Sequence, residues 1–137
     1  MRIFLDANIL FSAAKSDGAI RRLLNLLIKN GHECAADPYV IEEARRNLAR
    51  KAPAGLQVLD ELLPEFLITG FQSPDPKFAR GLALQDKDLP VLAAAVRSAC
   101  SILLTGDRTH FGPLYGKTVH GVTIHSPQSL AEALGIS

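Results

Sequence analysis

The chain has 137 residues, of which 47% are hydrophobic and 21% are charged. This composition is typical of a folded globular domain and excludes disordered, collagen-like and coiled-coil chains. We expect one domain spanning residues 1–137, because this length lies within the usual range of a single domain. No apolar run approaches the roughly 18 residues of a membrane span, and the first residues lack the apolar stretch of a signal peptide. The sequence therefore predicts a soluble, cytoplasmic protein with no membrane association.

The formal net charge is only +1, so the chain as a whole carries no electrostatic signature of nucleic-acid binding. Residues 1–51 carry nine Lys or Arg against six Asp or Glu, whereas residues 52–137 carry six against eight. A basic face near the N-terminal third is one interpretation of this asymmetry, and ordinary solvated surface is the other.

The two cysteines, Cys34 and Cys100, are far apart and belong to no CxxC pair. No histidines stand at ligand spacing beside them. We therefore expect two buried free thiols rather than a zinc site or a disulfide framework.

Short apolar segments between turn residues predict five strands. The first, at residues 2–6, is apolar and ends in an acid, which is typical of a buried strand that carries Asp6 at its carboxyl end. The other strands are predicted at residues 33–36, 67–71, 101–105 and 121–125.

Apolar residues at helical spacing predict the intervening helices. One is expected to begin beside Asp6 and Asn8, and the next to span residues 17–30 with Asp17 as its N-cap. A third begins at Pro38 and buries a stripe made of Ile41, Ala44, Leu48 and Ala52. Further helices are predicted at residues 54–66, 77–84, 91–99 and 126–134. Because strands and helices alternate, we expect an α/β fold, a three-layer α/β/α sandwich around a mainly parallel sheet.

Four acidic residues stand where this fold would bring them together. Functional crevices of open α/β folds lie at the carboxyl ends of the strands. Asp6 and Asp107 follow strands, Asp88 precedes a helix, and Glu43 lies on the polar side of its helix. Converging carboxylates repel one another unless a divalent cation lies between them. Their oxygens suit Mg²⁺ or Mn²⁺, which activate water and neutralise charge on a phosphodiester.

Each of these acids also has a purely structural interpretation. Asp6 or Asn8 would cap the following helix, and Asp88 would be the N-cap of its own. Asp107 would form a turn, and Glu43 would be an exposed helix residue. Joint placement at one edge of the sheet favours the functional interpretation.

Four sequence blocks, in this order and spacing, resemble the signature blocks of the PIN-domain nucleases. They are FLDANILFSA at positions 4–13, YVIEEARRNL at 39–48, DLPVLAAA at 88–95 and LLTGD at 103–107. The resemblance implies a metal-dependent endoribonuclease that hydrolyses phosphodiester bonds of single-stranded or structured RNA. It also implies Mg²⁺ or Mn²⁺ as the cofactor and a homodimer as the assembly. Many such nucleases are toxins of the VapC type that pair with a small antitoxin protein.

The same resemblance assigns catalytic and metal-binding roles to four acids: Asp6, Glu43, Asp88 and Asp107. Asp6, Asp88 and Asp107 would coordinate the metal directly, and Glu43 would bind it or orient the attacking water. Glu42 competes with Glu43, but Glu43 lies on the polar face and aligns with the second acid of the family. Supporting polar groups would be Asn8, Ser12, Asp86 and Thr105.

Three basic residues are candidates for contact with the substrate. Arg46 and Arg50 share the Glu43 side of their helix and are predicted to bind the RNA backbone. The alternative is an exposed helix with local Glu–Arg pairs. His110 stands three residues after Asp107 and would reach the substrate from a loop.

The sequence is also compatible with two other functions. A catalytically silent module with the same fold would bind RNA or a protein without turnover. A phosphotransfer or phosphatase domain would use Asp6 as its nucleophile, but Asn8 stands where such enzymes commonly place a second Asp. The segment GPLYGKT at 112–118 has three residues between its glycines where a phosphate-binding loop needs four, which argues against nucleotide triphosphate binding.

Overall fold

A computed structural model describes residues 1–71, 73–82 and 84–136 of the chain. Within these residues six strands form one sheet, in the order β3-β2-β1-β4-β6-β5. The strands are β1 (Arg2–Leu5), β2 (Glu33–Ala36), β3 (Leu67–Ile68), β4 (Ile102–Leu104), β5 (Thr118–Val119) and β6 (Val122–His125). Neighbouring strands run parallel, except that β5 pairs with β6 in antiparallel fashion. The mainly parallel sheet is therefore as predicted.

The α-helices connect these strands and flank the sheet. They are α1 (Ala7–Lys15), α2 (Ala19–Lys29), α3 (Pro38–Lys51), α4 (Gly55–Leu62), α5 (Leu89–Arg97) and α6 (Pro127–Leu134). Short 3₁₀ turns lie at Leu63–Glu65, Pro76–Ala79 and Gly112–Leu114. This arrangement confirms the α/β fold. In the described parts of the chain, none of the helices combines the length and apolarity that crossing a bilayer requires.

The two central strands bring their carboxyl ends to the same place. Ile3, Phe4 and Leu5 of β1 have no exposed surface, because a central parallel strand is covered on both faces. The register pairs Leu5 with Leu104 of β4. The residues that follow these two strands are thus neighbours at one edge of the sheet.

Helix α3 begins at a capped turn and turns one side toward the core. The carboxylate of Asp37 accepts a hydrogen bond from the Val40 N–H at 3.1 Å, and a proline occupies the first turn of the helix. Val40, Ala44 and Leu48 are buried, so the buried stripe begins at Val40 rather than at the half-buried Ile41. The remaining side of the helix is free to carry polar residues.

Several predicted bounds differ from the structure. Gly18, not Asp17, is the N-cap of α2, because Asp17 points into solvent beside Arg21 at 3.9 Å. The helix predicted at 54–66 ends at Leu62 and continues as a 3₁₀ turn, and the strand predicted at 67–71 is only two residues long.

The helix predicted at residues 77–84 is also wrong for the described residues. A 3₁₀ turn at Pro76–Ala79 replaces it, and Gly81 follows with a φ of +74°, which ends any helix. Ala83, within the predicted span, lies outside the described residues.

Both cysteines are buried and free, as predicted. Burial raises the pKa of the Cys34 thiol to about 12 and that of the Cys100 thiol to about 11. Both therefore remain protonated thiols in the core.

Candidate metal centre

Asp6 lies at the carboxyl end of β1 and begins α1. Its Oδ1 accepts a hydrogen bond from the Ala7 N–H at 2.7 Å. Its Oδ2 accepts from the Thr105 hydroxyl at 2.8 Å and from the Asn8 side-chain amide at 3.3 Å. The helix-capping interpretation of Asp6 is therefore correct, but these three donors leave part of the carboxylate's acceptor capacity unused.

The electrostatic environment of Asp6 opposes a negative charge. The side chain is only 5% exposed, and this burial raises its pKa to about 6, against the effect of the hydrogen bond from Thr105. The charges of Glu43 and Asp88 raise it further. A cation at this position would relieve both effects.

Hydrogen bonds of Thr105 and Asn8 connect the residues that follow β1 with those that follow β4. The Thr105 oxygen accepts from the Asp107 N–H at 3.1 Å, and the Asn8 side-chain oxygen accepts from the Gly106 N–H at 2.8 Å. Asn8 donates its amide to Asp6 and, at 3.4 Å, to Thr105. Asn8 thus bridges α1 and the loop after β4, and does not cap a helix.

Asp88 occupies the N-cap position of α5 without acting as a cap. Its side chain accepts no capping hydrogen bond, so the capping interpretation of this residue is wrong. The Oδ2 atom instead lies 3.0 Å from Nδ1 of His110. Burial raises the pKa of Asp88, and the charge of Asp107 raises it as well, whereas His110 lowers it.

Asp107 has two roles, one for each oxygen. Its Oδ1 accepts from the His110 N–H at 3.0 Å, which confirms the predicted turn. Its Oδ2 lies 2.8 Å from Nδ1 of the same histidine. One imidazole nitrogen thus lies between the carboxylates of Asp88 and Asp107.

These three side chains form a donor set that fits a divalent cation. Asp88, Asp107 and His110 each offer one ligand atom, and the three atoms lie within 4.8 Å of one another. Within the described residues, Oδ2 of Asp88 and Nδ1 of His110 are buried and have no well-aligned hydrogen bond, despite their close contact. Buried polar atoms left in this state are rare in proteins. Carboxylate oxygens suit hard divalent cations, whereas an imidazole nitrogen suits first-row transition metals, so this donor set is compatible with a divalent cation.

Glu43 faces the same site from α3. One turn earlier on the same helix face, the Tyr39 hydroxyl donates to the Lys87 carbonyl at 2.8 Å and ties α3 to the turn before Asp88. The charge of Glu43 raises the pKa of Asp6 and of Asp88. In the described parts of the chain, Glu43 forms no hydrogen bond or ion pair, so its carboxylate is available to a ligand.

Glu42 does not share this position. Its side chain is 62% exposed and lies 3.9 Å from the guanidinium of Arg46. Glu43, whose charge raises the pKa of Asp6 and of Asp88, is thus the better placed of the two to serve the site.

The other predicted residues lie around this cluster with weaker ties to it. Ser12 is half-buried one turn after Asn8 on α1, and Asp86 is exposed; neither forms a hydrogen bond or ion pair with any described residue. Burial raises the pKa of Tyr39, and Arg46 lies close enough to Tyr39 to lower it. Arg50 is exposed and donates to the Asn47 side chain at 3.2 Å.

Three residues have roles that the sequence did not reveal. His110 was expected to contact substrate, whereas it lies between two of the acids. Tyr39 was not singled out, although its position four residues before Glu43 places both on one helix face. Tyr115 packs partly against the core, and its hydroxyl donates to the Thr105 carbonyl at 3.2 Å, where it supports the strand end.

The sheet, the helix order and the acids at the strand ends define a class of α/β domain with a carboxylate site. Residues 2–109 match the PIN domain, and the chain therefore belongs to the PIN-domain family. No curated protein sequence matches the chain significantly.

Solved structures share the fold at low sequence identity. VapBC2 from Rickettsia felis, bound to a DNA fragment from its promoter, has a TM-score of 0.67 and 18% identity, covering 92% of this chain and 98% of that one. PAE2754 from Pyrobaculum aerophilum has a TM-score of 0.65 and 19% identity, covering 98% and 96%. VapC20 from Mycobacterium tuberculosis, a sarcin–ricin loop cleaving toxin, has a TM-score of 0.57 and 10% identity, covering 78% and 91%.

Proposed function

We propose that the protein is an endoribonuclease that hydrolyses RNA phosphodiester bonds with Mg²⁺ or Mn²⁺. The observation that carries this proposal is the cluster of Asp88, Asp107 and His110, whose ligand atoms lie within 4.8 Å of one another at the carboxyl edge of the sheet. Oδ2 of Asp88 is buried there and lacks a well-aligned hydrogen bond, and the charge of Asp88 raises the pKa of the buried Asp6. Three carboxylates in one buried site repel one another without a cation. Oxygen-rich sites of this kind are typical of metal-assisted phosphoryl chemistry.

The residues of the site have different roles in the proposed reaction. Asp6, Asp88 and Asp107 hold the cation, and His110 offers a nitrogen ligand between the last two. Thr105 fixes the orientation of the Asp6 carboxylate through its hydroxyl. When bound, Mg²⁺ or Mn²⁺ neutralises charge on the phosphodiester and lowers the pKa of water.

Glu43 either joins these ligands or receives the proton of the attacking water. Its carboxylate is half-buried, and within the described residues it forms no hydrogen bond or ion pair. A carboxylate in this state can accept a hydrogen bond from water and orient it toward a phosphorus atom. Ser12 and Asp86 would act from further away, through water.

We further propose that the protein is the toxin of a toxin–antitoxin pair, forms a homodimer and acts on cytoplasmic RNA. Similar solved structures support the toxin role, since they include VapBC2 from Rickettsia felis and VapC20, a sarcin–ricin loop cleaving toxin. The partner would be a small antitoxin protein. A catalytically silent module that grips RNA or a protein is the alternative.

Incubation of the purified protein with a panel of labelled single-stranded and hairpin RNAs tests the enzymatic proposal. We expect discrete products with Mg²⁺ or Mn²⁺ and none with EDTA, because the acids alone supply no cation. Asp6→Asn should lose most of this cleavage, because it removes a ligand charge. Asp17→Asn is the matched control, since Asp17 is exposed and lies beyond the C-terminal end of α1. Undiminished cleavage in EDTA, or no cleavage of any RNA with either metal, would contradict the proposal.

A further inference from the structure

A stacked aromatic pair lies beside the acid site. The rings of Tyr39 and Phe71 are 5.7 Å apart at their centroids and inclined by 12°. Tyr39 is held in place by its hydrogen bond to the Lys87 carbonyl. Phe71 lies on the outer side of the pair and is 47% exposed. The pair therefore presents a flat aromatic surface to solvent, supported by a tyrosine whose hydroxyl group is hydrogen-bonded.

This aromatic surface forms part of a groove of about 400 Å³. The groove is lined by Pro38, Tyr39, Glu42, Arg46 and Phe71. The ion pair between Arg46 and Glu42 is long, at 3.9 Å, and both side chains are more than 60% exposed. Such pairs are weak, so the guanidinium can turn toward a phosphate at little cost.

The groove and the acid site are connected through Tyr39. The Tyr39 hydroxyl bonds to the residue before Asp88, and Glu43 follows one turn later on the same helix. The charges of Glu43 and Asp88 reach Tyr39, since both raise its pKa. A ligand that stacks on Phe71 would thus lie close to the reacting centre.

An exposed ring beside a weakly paired arginine matches the chemistry of one ligand class. Unpaired nucleotides bind proteins by stacking their bases on aromatic side chains while basic residues hold the backbone. Leu67 and Ile68 of the edge strand are also exposed, which offers a protein interface as the rival occupant. Charged residues in the groove wall favour a nucleotide over a purely apolar partner.

We propose that Phe71, supported by Tyr39, is a stacking subsite for an unpaired base of the RNA, with Arg46 holding an adjacent phosphate. This proposal rests on the proposed ribonuclease function. It predicts a preference for single-stranded RNA at this groove, because a base within a duplex cannot expose its face to the ring.

The chain contains no tryptophan, so Phe71→Trp introduces a single indole that can be excited selectively over the two tyrosines. Titration with unlabelled single-stranded RNA in EDTA, where cleavage is absent, should quench the emission of the introduced indole saturably. A duplex of the same sequence should quench it far less. Emission that stays constant while RNA binding is demonstrated by anisotropy would overturn the subsite.

Phe71→Leu removes the aromatic ring and should weaken single-stranded RNA binding by on the order of tenfold. Ile68→Ala is the matched control, because Ile68 is equally exposed on β3 and should leave RNA binding unchanged. If Phe71, Leu67 and Ile68 instead form a protein interface, both variants will change the molecular mass of the assembly in solution. Phe71→Leu will then bind RNA like the parent, and this result would overturn the subsite.

These results separate the subsite from the proposed function. Quenching of the indole reporter in a protein that cleaves no RNA would support the subsite and remove the enzymatic proposal. Cleavage by a Phe71→Trp protein whose emission does not respond to RNA would keep the ribonuclease and remove the subsite.

Discussion

A single hydroxyl group joins the strand ends to the acid site. The Thr105 oxygen donates to Asp6 at 2.8 Å and accepts from the Asp107 N–H at 3.1 Å. The residue is fully buried, so water cannot replace these bonds. Two of the proposed metal ligands therefore depend on one side chain for their orientation.

Thr105→Val removes this hydroxyl while keeping the branched shape. We expect the free energy of unfolding to fall by about 1–3 kcal/mol, because buried groups lose their partner, and metal-dependent cleavage to fall with it. Urea denaturation and the RNA assay measure the two effects.

The controls for Thr105 separate the hydroxyl from the shape. Thr105→Ser keeps the hydroxyl and should recover most of the cleavage. Thr123→Val alters an exposed threonine pair, in which the two hydroxyls lie 2.8 Å apart, and should change stability by less than about 0.5 kcal/mol. A Thr105→Val protein as stable and active as the parent would show that the hydroxyl positions nothing.

At the scale of elements, α4 approaches its neighbours at a glycine. Gly55 begins α4 and is buried. A Cβ atom there would lie 2.7 Å from Cδ2 of Leu48 and 3.1 Å from the Ala14 carbonyl oxygen. The packing of α4 against α1 and α3 thus depends on the absence of a side chain at this position.

Gly55→Ala should lower the free energy of unfolding by about 1–3 kcal/mol, because the methyl group overpacks this contact. Gly112→Ala is the control, since a Cβ at Gly112 meets no atom within 4 Å and its φ is not in the left-handed region. Thermal melting of both variants measures the difference. Equal melting temperatures of the two variants would show that α4 moves to accommodate the added methyl group without loss of stability.

The strands and helices that position the site were predictable from sequence, because buried parallel strands are continuous apolar runs and their flanking residues are turn formers. Strand β2 has the predicted bounds, and the strand before Asp6 is one residue shorter than predicted. Strand β5 was missed because it is only two residues long. His120 and Gly121, with φ values of 49° and 84°, form the tight turn between β5 and β6. The glycine is the sequence feature that could have indicated this hairpin.

Side-chain directions were harder to predict than element types. The sequence placed Asp88 at a helix start, where a capping role and a ligand role are equally natural. The structural role of Asp88 depends on its contact with His110. His110 lies in a loop, and a loop has no hydrophobic periodicity from which such a contact could be predicted. The same limit applies to Tyr39 and Phe71, whose contact joins a helix to the segment after an edge strand.

Charge is distributed unevenly along the chain despite the net charge of +1. Arg46 and Arg50 lie on α3, the helix that also carries Glu43, and we predict that they contact the RNA backbone. Arginines that contact RNA phosphates displace the counterions condensed on the RNA, and this release makes binding dependent on salt.

Replacing both Arg46 and Arg50 with Ala should weaken RNA binding and flatten its salt dependence, by up to about 0.7 in the logarithmic slope for each lost phosphate contact. The control is the double replacement of Arg22 and Lys29 on α2, which changes the net charge equally. Fluorescence anisotropy at several salt concentrations measures both. Identical slopes for the two double variants would assign Arg46 and Arg50 to ordinary surface.

The converging acids are proposed to hold a divalent cation, and substitution of Asp88 tests this proposal most directly. Asp88 occupies an N-cap position but accepts no capping bond, and Asn is tolerated there as well as Asp. Without metal, Asp88→Asn relieves repulsion from Asp6, Glu43 and Asp107. The metal-free variant should therefore melt no lower than the metal-free parent.

The decisive measurement is the melting temperature of the parent and of Asp88→Asn across a series of Mn²⁺ concentrations. A metal that binds only the folded state stabilises it, and the shift in melting temperature grows with the ratio of metal concentration to the dissociation constant, so we expect Mn²⁺ to stabilise the parent. We expect a much smaller shift for Asp88→Asn, whereas Asp17→Asn should respond like the parent. Equal shifts for the parent and Asp88→Asn would contradict the claim that Asp88 is a ligand of a cation at this edge of the sheet.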